Sequence, residues 1–173
     1  MSLAFEEAGR DVSARSWPSS TPSLPRIADS IFDLIPAAVY VCDRNGVIVK
    51  YNRRAAELWG RTPKLGDPAE RFCGSYRLYR LNGDSLPHAE CPVADVLRSG
   101  ESVRDQEVII ERPDGSRIIA LANIDPVRDE AGAIAGAINC FQDVTGVKRV
   151  EEEERKGREA LRKQGAAISR IAR

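Results

Sequence analysis

Aromatic residues and histidine are rare in this 173-residue sequence. Aromatic side chains make up 6% of it, and His88 is its one histidine. Few aromatic rings leave little surface on which nucleic-acid bases could stack. The 26 basic and 26 acidic residues cancel to a net charge of zero, whereas nucleic-acid binders usually carry a basic surplus. The composition therefore predicts no nucleic-acid partner.

Long apolar runs are missing as well. No stretch approaches the ~18 consecutive apolar residues of a membrane span. The N-terminus lacks the basic and apolar regions of a secretory signal. The four cysteines, at positions 42, 73, 91 and 140, show no paired spacing typical of a disulfide framework. These features predict a cytoplasmic protein with reduced thiols and no membrane partner.

Catalytic signatures are also absent from the sequence. It contains neither a Gly-x-Ser-x-Gly motif nor a phosphate-binding glycine loop. The carboxylates of Asp125 and Asp129 flank a predicted turn, where acidic side chains are usually solvated. We therefore expect no enzyme and no catalytic residue in this chain.

Three regions of the chain differ in composition. Residues 1–26 are rich in proline and serine and predict a flexible leader, with a short N-terminal helix over residues 3–14 as the alternative. Residues 27–145 alternate short apolar runs with turn residues, which predicts one α+β domain. Residues 146–173 predict a C-terminal amphipathic linker helix. Because the sequence ends within that helical pattern, we expect a longer parent protein.

A short helix over residues 27–35 is predicted at the start of the domain, because apolar residues recur there at helical spacing and Pro36 ends it. A β-hairpin and a second helix are predicted to follow. Residues 38–42 and 47–51 form the two strands of the hairpin, and the turn at 43–46 contains Asn-Gly, which supplies the positive φ angles of a tight turn. Asn52 is a predicted N-cap, worth about 1 kcal/mol. The helix that it caps is expected to cover residues 53–59.

Three further strands are predicted after an irregular insert. The insert covers residues 61–92 and is interrupted by prolines and glycines, with one helical turn expected at 68–72. A helix beginning at Pro92 follows, and then come strands over residues 103–112, 117–127 and 134–144. Because the first two strands cannot bury a face alone, the insert must cross the sheet and bring the last three strands beside them.

Four short motifs, in this order, resemble the PAS domain family. They are Asp43-Arg-Asn-Gly46 between two strands, Asn52 with the helix after it, Pro113-Asp-Gly115 before the penultimate strand, and Asp143-Val-Thr145 at the exit. The last is similar to the Asp-Ile-Thr signature that joins PAS sheets to signalling helices. The resemblance covers roughly two-thirds of the chain. It implies a five-stranded antiparallel sheet in the order 2-1-5-4-3, with helices on one face.

The resemblance also raises the question of a cofactor. Light-sensing relatives bind flavin through a cysteine on a mid-domain helix, but the similar segment here, residues 139–142, lies on the last predicted strand. Haem-binding relatives use a histidine in the insert, which leaves His88 as an alternative haem ligand, although packing or hydrogen bonding near a helix start is favoured. Cys73 and Cys91 would add two zinc ligands, but a fourth is missing. The cofactor is therefore left unknown, with none favoured, and no metal is predicted.

Seven apolar residues are candidates to line a small pocket beneath the helices. They are Tyr40, Trp59, Phe72, Tyr76, Leu97, Leu121 and Phe141. Because protein cores pack near crystal density, a filled core is favoured over an open pocket. The sequence leaves the stimulus undefined.

The C-terminal segment predicts a dimerising helix. Its seam positions alternate in steps of three and four residues, with interruptions at Glu154 and Gly157: Val147, Val150, Leu161, Gln164, Ile168 and Ile171. Four pairs, each with the acid first and the base four residues later, would add ~0.2–0.5 kcal/mol each: Glu151/Arg155, Glu152/Lys156, Glu154/Arg158 and Glu159/Lys163. Such a helix is poorly stable alone. We therefore expect a parallel two-helix coiled coil with a second copy, to which the N-terminal segment could add contacts. The alternative is a frayed, solvated helix.

The resemblance and the C-terminal helix together imply a sensory module of a bacterial signalling protein. A signal from the core or the dimer interface would move the last strand. Asp143, Val144 and Thr145 would pass the motion to Val147 and Val150 on the helix, and so to a downstream effector. The first candidate effector is the histidine kinase of a two-component system. The alternatives are a purely structural homodimerisation module and a haem-based redox or gas sensor that uses His88.

Overall fold

The structure of the chain, a computed structural model, describes residues 29–171 and the side chains of residues 31–164. The predicted leader over residues 1–26, with its alternative helix, lies outside the described residues. The described part forms four α-helices, six strands and a 3₁₀ turn at His88–Glu90. In chain order the helices and strands are α1 (Asp29–Leu34), β1 (Ala38–Asp43), β2 (Ile48–Tyr51), α2 (Arg53–Trp59), β3 (Arg77–Tyr79), α3 (Pro92–Ser99), β4 (Val103–Glu111), β5 (Arg117–Arg128), β6 (Ile134–Asp143) and α4 (Thr145–Ile171).

All six strands form one antiparallel sheet in the order β2-β1-β6-β5-β4-β3. The order predicted for five strands is confirmed, the last three of them being β4, β5 and β6. The predicted strand number is corrected to six, because β3 arises within the insert and pairs with β4. Three residues give too short an alternation to predict a strand, and pairing with β4 decides the conformation. The helical turn expected at 68–72 is not formed, and this segment makes turns and bends instead.

The insert covers part of both sheet edges. Along β2, the Ile48 N–H donates to the Glu70 carbonyl at 3.1 Å, and the Gly66 N–H donates to the Ile48 carbonyl at 2.9 Å. Along β3, the Leu86 N–H donates to the Leu78 carbonyl at 2.9 Å. Uncovered edge strands can pair with another chain, so the insert blocks edge-to-edge pairing at these positions.

The main core lies between one face of the sheet and helices α2 and α3. Tyr40, Trp59 and Phe141 are at its centre, all at most 2% exposed, with ring centroids 5.2 to 6.1 Å apart. Such aromatic pairs add ~0.5–1.5 kcal/mol each beyond area burial. Helix α1 lies on the opposite face, where Phe32 packs on Val39 of β1. Helix α1 can pack on this second face because β1 is apolar on both sides of the sheet.

A buried amide joins α1, β1 and α2. Asn52 is fully buried, and its Oδ1 accepts from the backbone N–H groups of Ala55 and Val39, each at 3.0 Å. Its Nδ2 donates to the carbonyls of Phe32 and Ala37 at 3.3 and 2.8 Å. The predicted N-cap is confirmed, and three of these four bonds reach outside the helix. A buried polar group without a partner costs ~1–3 kcal/mol, so this side chain holds three elements together.

We expect Asn52→Ala to lower the free energy of unfolding by about 3 kcal/mol. The substitution removes a cap worth ~1 kcal/mol and leaves buried backbone groups unpaired. Urea denaturation followed by circular dichroism measures the change. Arg53→Ala is the matched control, because its guanidinium makes an exposed ion pair with Glu57 at 3.7 Å, and such pairs contribute ~0–1 kcal/mol. Equal stabilities for the two variants would contradict the role given to Asn52.

Candidate functional site

A small cavity lies between the core face of the sheet and helices α2 and α3. Tyr40, Trp59 and Phe141 line it, as do residues from β4 and β5. Its volume is about 20 Å³, and a water molecule needs at least about 10–15 Å³. The cavity therefore holds roughly one water-sized group, and neither a flavin nor a haem fits into this core as it is packed.

The other four residues predicted to line a pocket lie outside this cavity. Phe72 packs beside the core with a φ of 67°, and its carbonyl accepts from the Tyr40 hydroxyl at 2.7 Å. Leu97 is partly buried against the same core. Tyr76, in the loop before β3, is 47% exposed. Leu121 lies on the outer face of β5, because its neighbours along the strand are the residues that face inward.

Several lining residues were missed by the sequence reasoning. The inward face of β5 carries the alternating buried residues Ile118, Ala120, Ala122 and Ile124, and the last three line the cavity. The alternation itself is visible in the sequence, but it cannot say which face of the strand points inward. The thiols of Cys73 and Cys91 also line the cavity. They carry no sequence signal, because their approach depends on the path of the insert around the sheet.

Two polar atoms on the cavity-lining residues have no hydrogen-bond partner within the described part of the chain. They are Nε1 of Trp59 and Oδ1 of Asn139, and the two residues are only 0% and 7% exposed. The Asn139 amide instead donates through Nδ2 to the Tyr40 hydroxyl at 3.3 Å. Burial raises the pKa of Tyr40, so its hydroxyl stays neutral. The mostly apolar cavity therefore has one unpaired donor and one unpaired acceptor on its lining side chains.

A short chain of hydrogen bonds leads away from the cavity. The Cys73 thiol donates to the Ser75 hydroxyl at 3.3 Å, and that oxygen lies 3.0 Å from Nε2 of His88. Ser75 is 1% exposed, whereas His88 is half-buried in the turn before α3. Burial lowers the pKa of His88, Arg61 lowers it further and Glu70 raises it. Nε2 of His88 is therefore already engaged with Ser75.

The four cysteines are not paired with one another. All four are free thiols. Among the residues that the structure describes, no three His, Cys, Asp or Glu side chains are placed to hold a metal ion, so the zinc set of Cys73, His88 and Cys91 is not assembled. Cys140, in the flavin-like segment, packs on the outer face of the sheet against Phe32, Val39 and Val41, which we call the α1 cluster.

The last strand continues directly into α4 through residues 143–145. The Val144 N–H donates to the Ile119 carbonyl at 2.9 Å, which extends the pairing with β5 by one residue. Thr145 Oγ1 accepts from the Ile119 N–H at 2.8 Å and donates to the Asp143 carboxylate at 2.5 Å. The same carboxylate accepts from the Thr145 N–H at 2.9 Å. These bonds make the start of α4 an extension of the sheet, and we call residues 143–145 with Ile119 the exit joint.

A surface ion pair adds a second connection between α4 and the sheet. Lys148 Nζ lies 2.6 Å from Glu107 Oε1 on β4, and this carboxylate raises the pKa of Lys148. Further along, the seam residues Val147, Val150 and Leu161 are 60%, 55% and 69% exposed. The described part of α4 therefore presents an uncovered apolar seam.

Intrahelical ion pairs cover the other faces of α4. Three of the four predicted acid-first pairs form: Glu152–Lys156 at 3.4 Å, Glu154–Arg158 at 4.0 Å and Glu159–Lys163 at 2.8 Å. Glu151 pairs instead with Lys148, and Arg155 with Glu152 and Glu159. The side chains of the predicted seam residues Ile168 and Ile171 lie outside the described set. No helix in the described part of the chain is long and apolar enough to cross a membrane.

The lowered pKa of His88 predicts a pH-dependent stability. Because the folded-state pKa lies below the ordinary value of 6.5, the unfolded chain takes up the proton first as the pH falls, and stability is lost below about pH 6.5. We expect His88→Gln to lose less unfolding free energy than the unsubstituted chain between about pH 7.5 and about pH 5.5. Urea denaturation at both pH values measures this. Parallel losses in the two proteins would show that His88 titrates alike when folded and unfolded.

Comparisons with known proteins agree with this geometry. The family model described as PAS domain matches residues 36–146. A PAS domain from Colwellia psychrerythraea is 21% identical, with a TM-score of 0.52 over 68% of this chain and 93% of that one. The PAS domain of the fruit-fly ELK potassium channel is 20% identical, with a TM-score of 0.53 over 70% and 99%.

A further structural match is an RNA-binding Light-Oxygen-Voltage receptor, 21% identical, with a TM-score of 0.53 over 82% of this chain and 42% of that one. At these identities the structural matches show the fold alone. No curated protein sequence matches this chain significantly. The family match covers well over half of the residues, and the sheet has the strand order that the PAS resemblance implies; this chain therefore belongs to the PAS domain family.

Proposed function

We propose that this chain is a sensory signalling module that converts a change in its core into a change in α4. The single observation that carries the proposal is the exit joint, where one backbone position of β5 holds the start of α4. Ile119 bonds to Val144 and Thr145 through its carbonyl and its N–H. The next residues along β5 include Ala120 and Ala122, which line the cavity. The cavity wall and the output helix therefore share one strand.

The coupling acts through β6 as well. Asn139 and Phe141 line the cavity, and Asp143, two residues beyond, accepts the hydrogen bonds of Thr145. A stimulus can shift this arrangement only by its free-energy difference between two packings. A repacking around Phe141 would move the joint directly, since no flexible segment intervenes between the strand and α4.

The proposed output is a coiled coil with a second copy of the chain. The uncovered seam of α4 is apolar, whereas its other faces carry intrahelical ion pairs worth ~0.2–0.5 kcal/mol each. A helix so weakly supported gains stability by burying its seam against a partner. We infer that a histidine kinase of a bacterial two-component system is the first candidate effector. The four free thiols favour a reducing compartment such as the cytoplasm.

A structural dimerisation module is the second candidate function. It is favoured by the cavity volume of about 20 Å³, which leaves the core nearly filled. In that case α4 would dimerise without responding to any change in the core. Changes at the exit joint separate the two functions, because only a signalling module needs the joint to be rigid.

We expect Thr145→Val to loosen the exit joint while the sheet stays folded. The variant keeps the side-chain shape but leaves the Ile119 N–H without its acceptor, at a cost of about 1–3 kcal/mol if that group stays buried. Hydrogen exchange should accelerate at Ile119, Val144 and the first turn of α4, with no change at β1. Thr145→Ser is the matched control, because it retains the hydroxyl. Equal exchange in both variants would argue against the joint.

We expect Asp143→Ala to loosen the exit joint as well, with an effect on signalling that can be measured in the full-length protein. It removes the carboxylate that orients Thr145, so input and output should be uncoupled while the sheet remains folded. Normal signalling by this variant would contradict the proposed transmission.

We expect Leu161→Asp to abolish self-association through α4. A carboxylate at this seam position would be buried without a partner in the coiled coil, whereas the neighbouring Ala160 is exposed and off the seam. Ala160→Asp is therefore the matched control and should associate like the unsubstituted chain. Analytical ultracentrifugation measures both. A dimer that survives Leu161→Asp, or an unsubstituted chain that stays monomeric throughout, would refute the coiled coil.

A further inference from the structure

The hydrogen bonds that link Cys73, Ser75 and His88 beside the cavity are arranged in the order that proton transfer would need. Cys73 donates its thiol proton to Ser75 Oγ at 3.3 Å, so the hydroxyl proton of Ser75 is free to point at Nε2 of His88, 3.0 Å away. Nε2 accepts when the neutral ring carries its proton on Nδ1. The thiol, the hydroxyl and the imidazole then form a continuous path from the cavity to a half-buried base.

A relay of this kind answers the usual objection to a reactive buried cysteine. Burial raises the pKa of Cys73, and buried thiols are ordinarily inert because they stay protonated. Burial also lowers the pKa of His88, so the imidazole is neutral near pH 7 and has a free site for a proton. Because both shifts disfavour a standing thiolate–imidazolium pair, the proton leaves Cys73 only as the sulfur attacks, which is general-base catalysis. The base that Cys73 lacks on its own is therefore supplied through Ser75.

The cavity has a place for one added oxygen atom. Cys73 lines it together with Trp59 and Asn139, whose Nε1 and Oδ1 are unpaired within the described residues. A hydroxyl group on the Cys73 sulfur could accept from the indole N–H and donate to the amide oxygen. The volume of about 20 Å³ suits a group of that size.

We propose that Cys73 is a peroxide-reactive thiol, which is oxidised to a sulfenic acid in the core cavity with Ser75 and His88 as its proton relay. The thiol proton passes to Ser75 as the Ser75 proton passes to His88. The sulfur attacks one oxygen of hydrogen peroxide, an S–O bond forms and the O–O bond breaks. Sulfur loses two electrons, and the departing hydroxide takes the proton back along the relay and leaves as water. This deepens the proposed sensory function by naming its stimulus, and only the downstream effect rests on that function.

The other cysteines of the chain serve as internal references. Cys91 lines the same cavity outside the relay, and burial raises its pKa to about 12. Cys42 is buried, with a pKa also raised by burial to about 12, and its thiol donates to the Ala137 carbonyl at 3.7 Å. Cys140 is half-buried on the outer face of the sheet. Cys91 therefore has surroundings similar to those of Cys73 but is not linked to His88 through Ser75.

The test exposes the reduced full chain briefly to hydrogen peroxide, removes the peroxide with catalase, and unfolds the chain in urea that contains dimedone. Unfolding lets dimedone reach sulfenic acids formed in the core, and peptide mass spectrometry reads the labelled cysteines. We expect Cys73 to be labelled about 10²-fold faster than Cys91, the lower range for general-base catalysis. His88→Gln keeps an acceptor for Ser75 but cannot take its proton, and Ser75→Ala breaks the relay. Both should reduce Cys73 labelling to the Cys91 rate, while circular dichroism confirms that they remain folded. Ser75→Thr should restore the fast rate.

Three results would overturn the proposal. They are Cys73 labelling no faster than Cys91, labelling confined to Cys140, and an unchanged Cys73 rate in folded His88→Gln. Failure of the sensory function is read separately, since Thr145→Val leaves the relay intact and should be labelled at the unsubstituted rate. Fast Cys73 labelling with no change in hydrogen exchange along α4 would support the reactive thiol and contradict the coupling.

Discussion

The antiparallel pairing of β6 with β1 is the constraint on which the rest of this fold depends. It joins positions far apart in the chain: Cys42 and Ala137, 95 residues apart, face each other across the two strands. The approach is tightest at Gly136, where a Cβ atom would lie 2.1 Å from the Cys42 carbonyl oxygen, so only glycine fits. Without this pairing, β1 and β2 would be an isolated hairpin, which is marginally stable at best, and the insert would have no core to cover.

The central strand β6 also brings sensing and output together. Its alternate residues Asn139 and Phe141 face the cavity, Cys140 faces the α1 cluster, and Asp143 ends it at the exit joint. Coupling between two sites needs a physical element that both can bias. Here the element is a strand of ten residues whose two faces and far end belong to different parts of the molecule. A short, hydrogen-bonded connection of this kind can transmit a small displacement without a longer chain of contacts.

Features that depend on residues close together in the chain could be predicted from the sequence, whereas features that depend on distant residues could not. The cap at Asn52 and helix α2, which begins and ends at the residues predicted, depend on local backbone chemistry. Strand β3 and the placement of Cys73 beside the cavity depend on partners that the insert reaches only after folding. Leu121 is an intermediate case. The alternation of side chains along β5 is visible in the sequence, but the strand is apolar on both faces. A two-residue period alone cannot decide which face points to the core. The same long-range dependence explains why three of seven proposed pocket residues line the cavity, while its polar atoms came only from the structure.

The size of the cavity bears on the kind of stimulus that the core can use. Inserting extra atoms into a well-packed core costs ~1–3 kcal/mol, and a ligand much larger than the available 20 Å³ would have to separate the sheet from its helices. One oxygen atom on Cys73 adds far less volume, and in our proposal it pairs with the two polar atoms that have no partner among the described residues. Hydrogen bonds like those of Thr145 contribute ~0.5–1.5 kcal/mol net, and 1.4 kcal/mol is tenfold in an equilibrium. A one-atom change in this core therefore carries free energy of the same size as the bonds that hold the exit joint, which is what a shift between two packings requires.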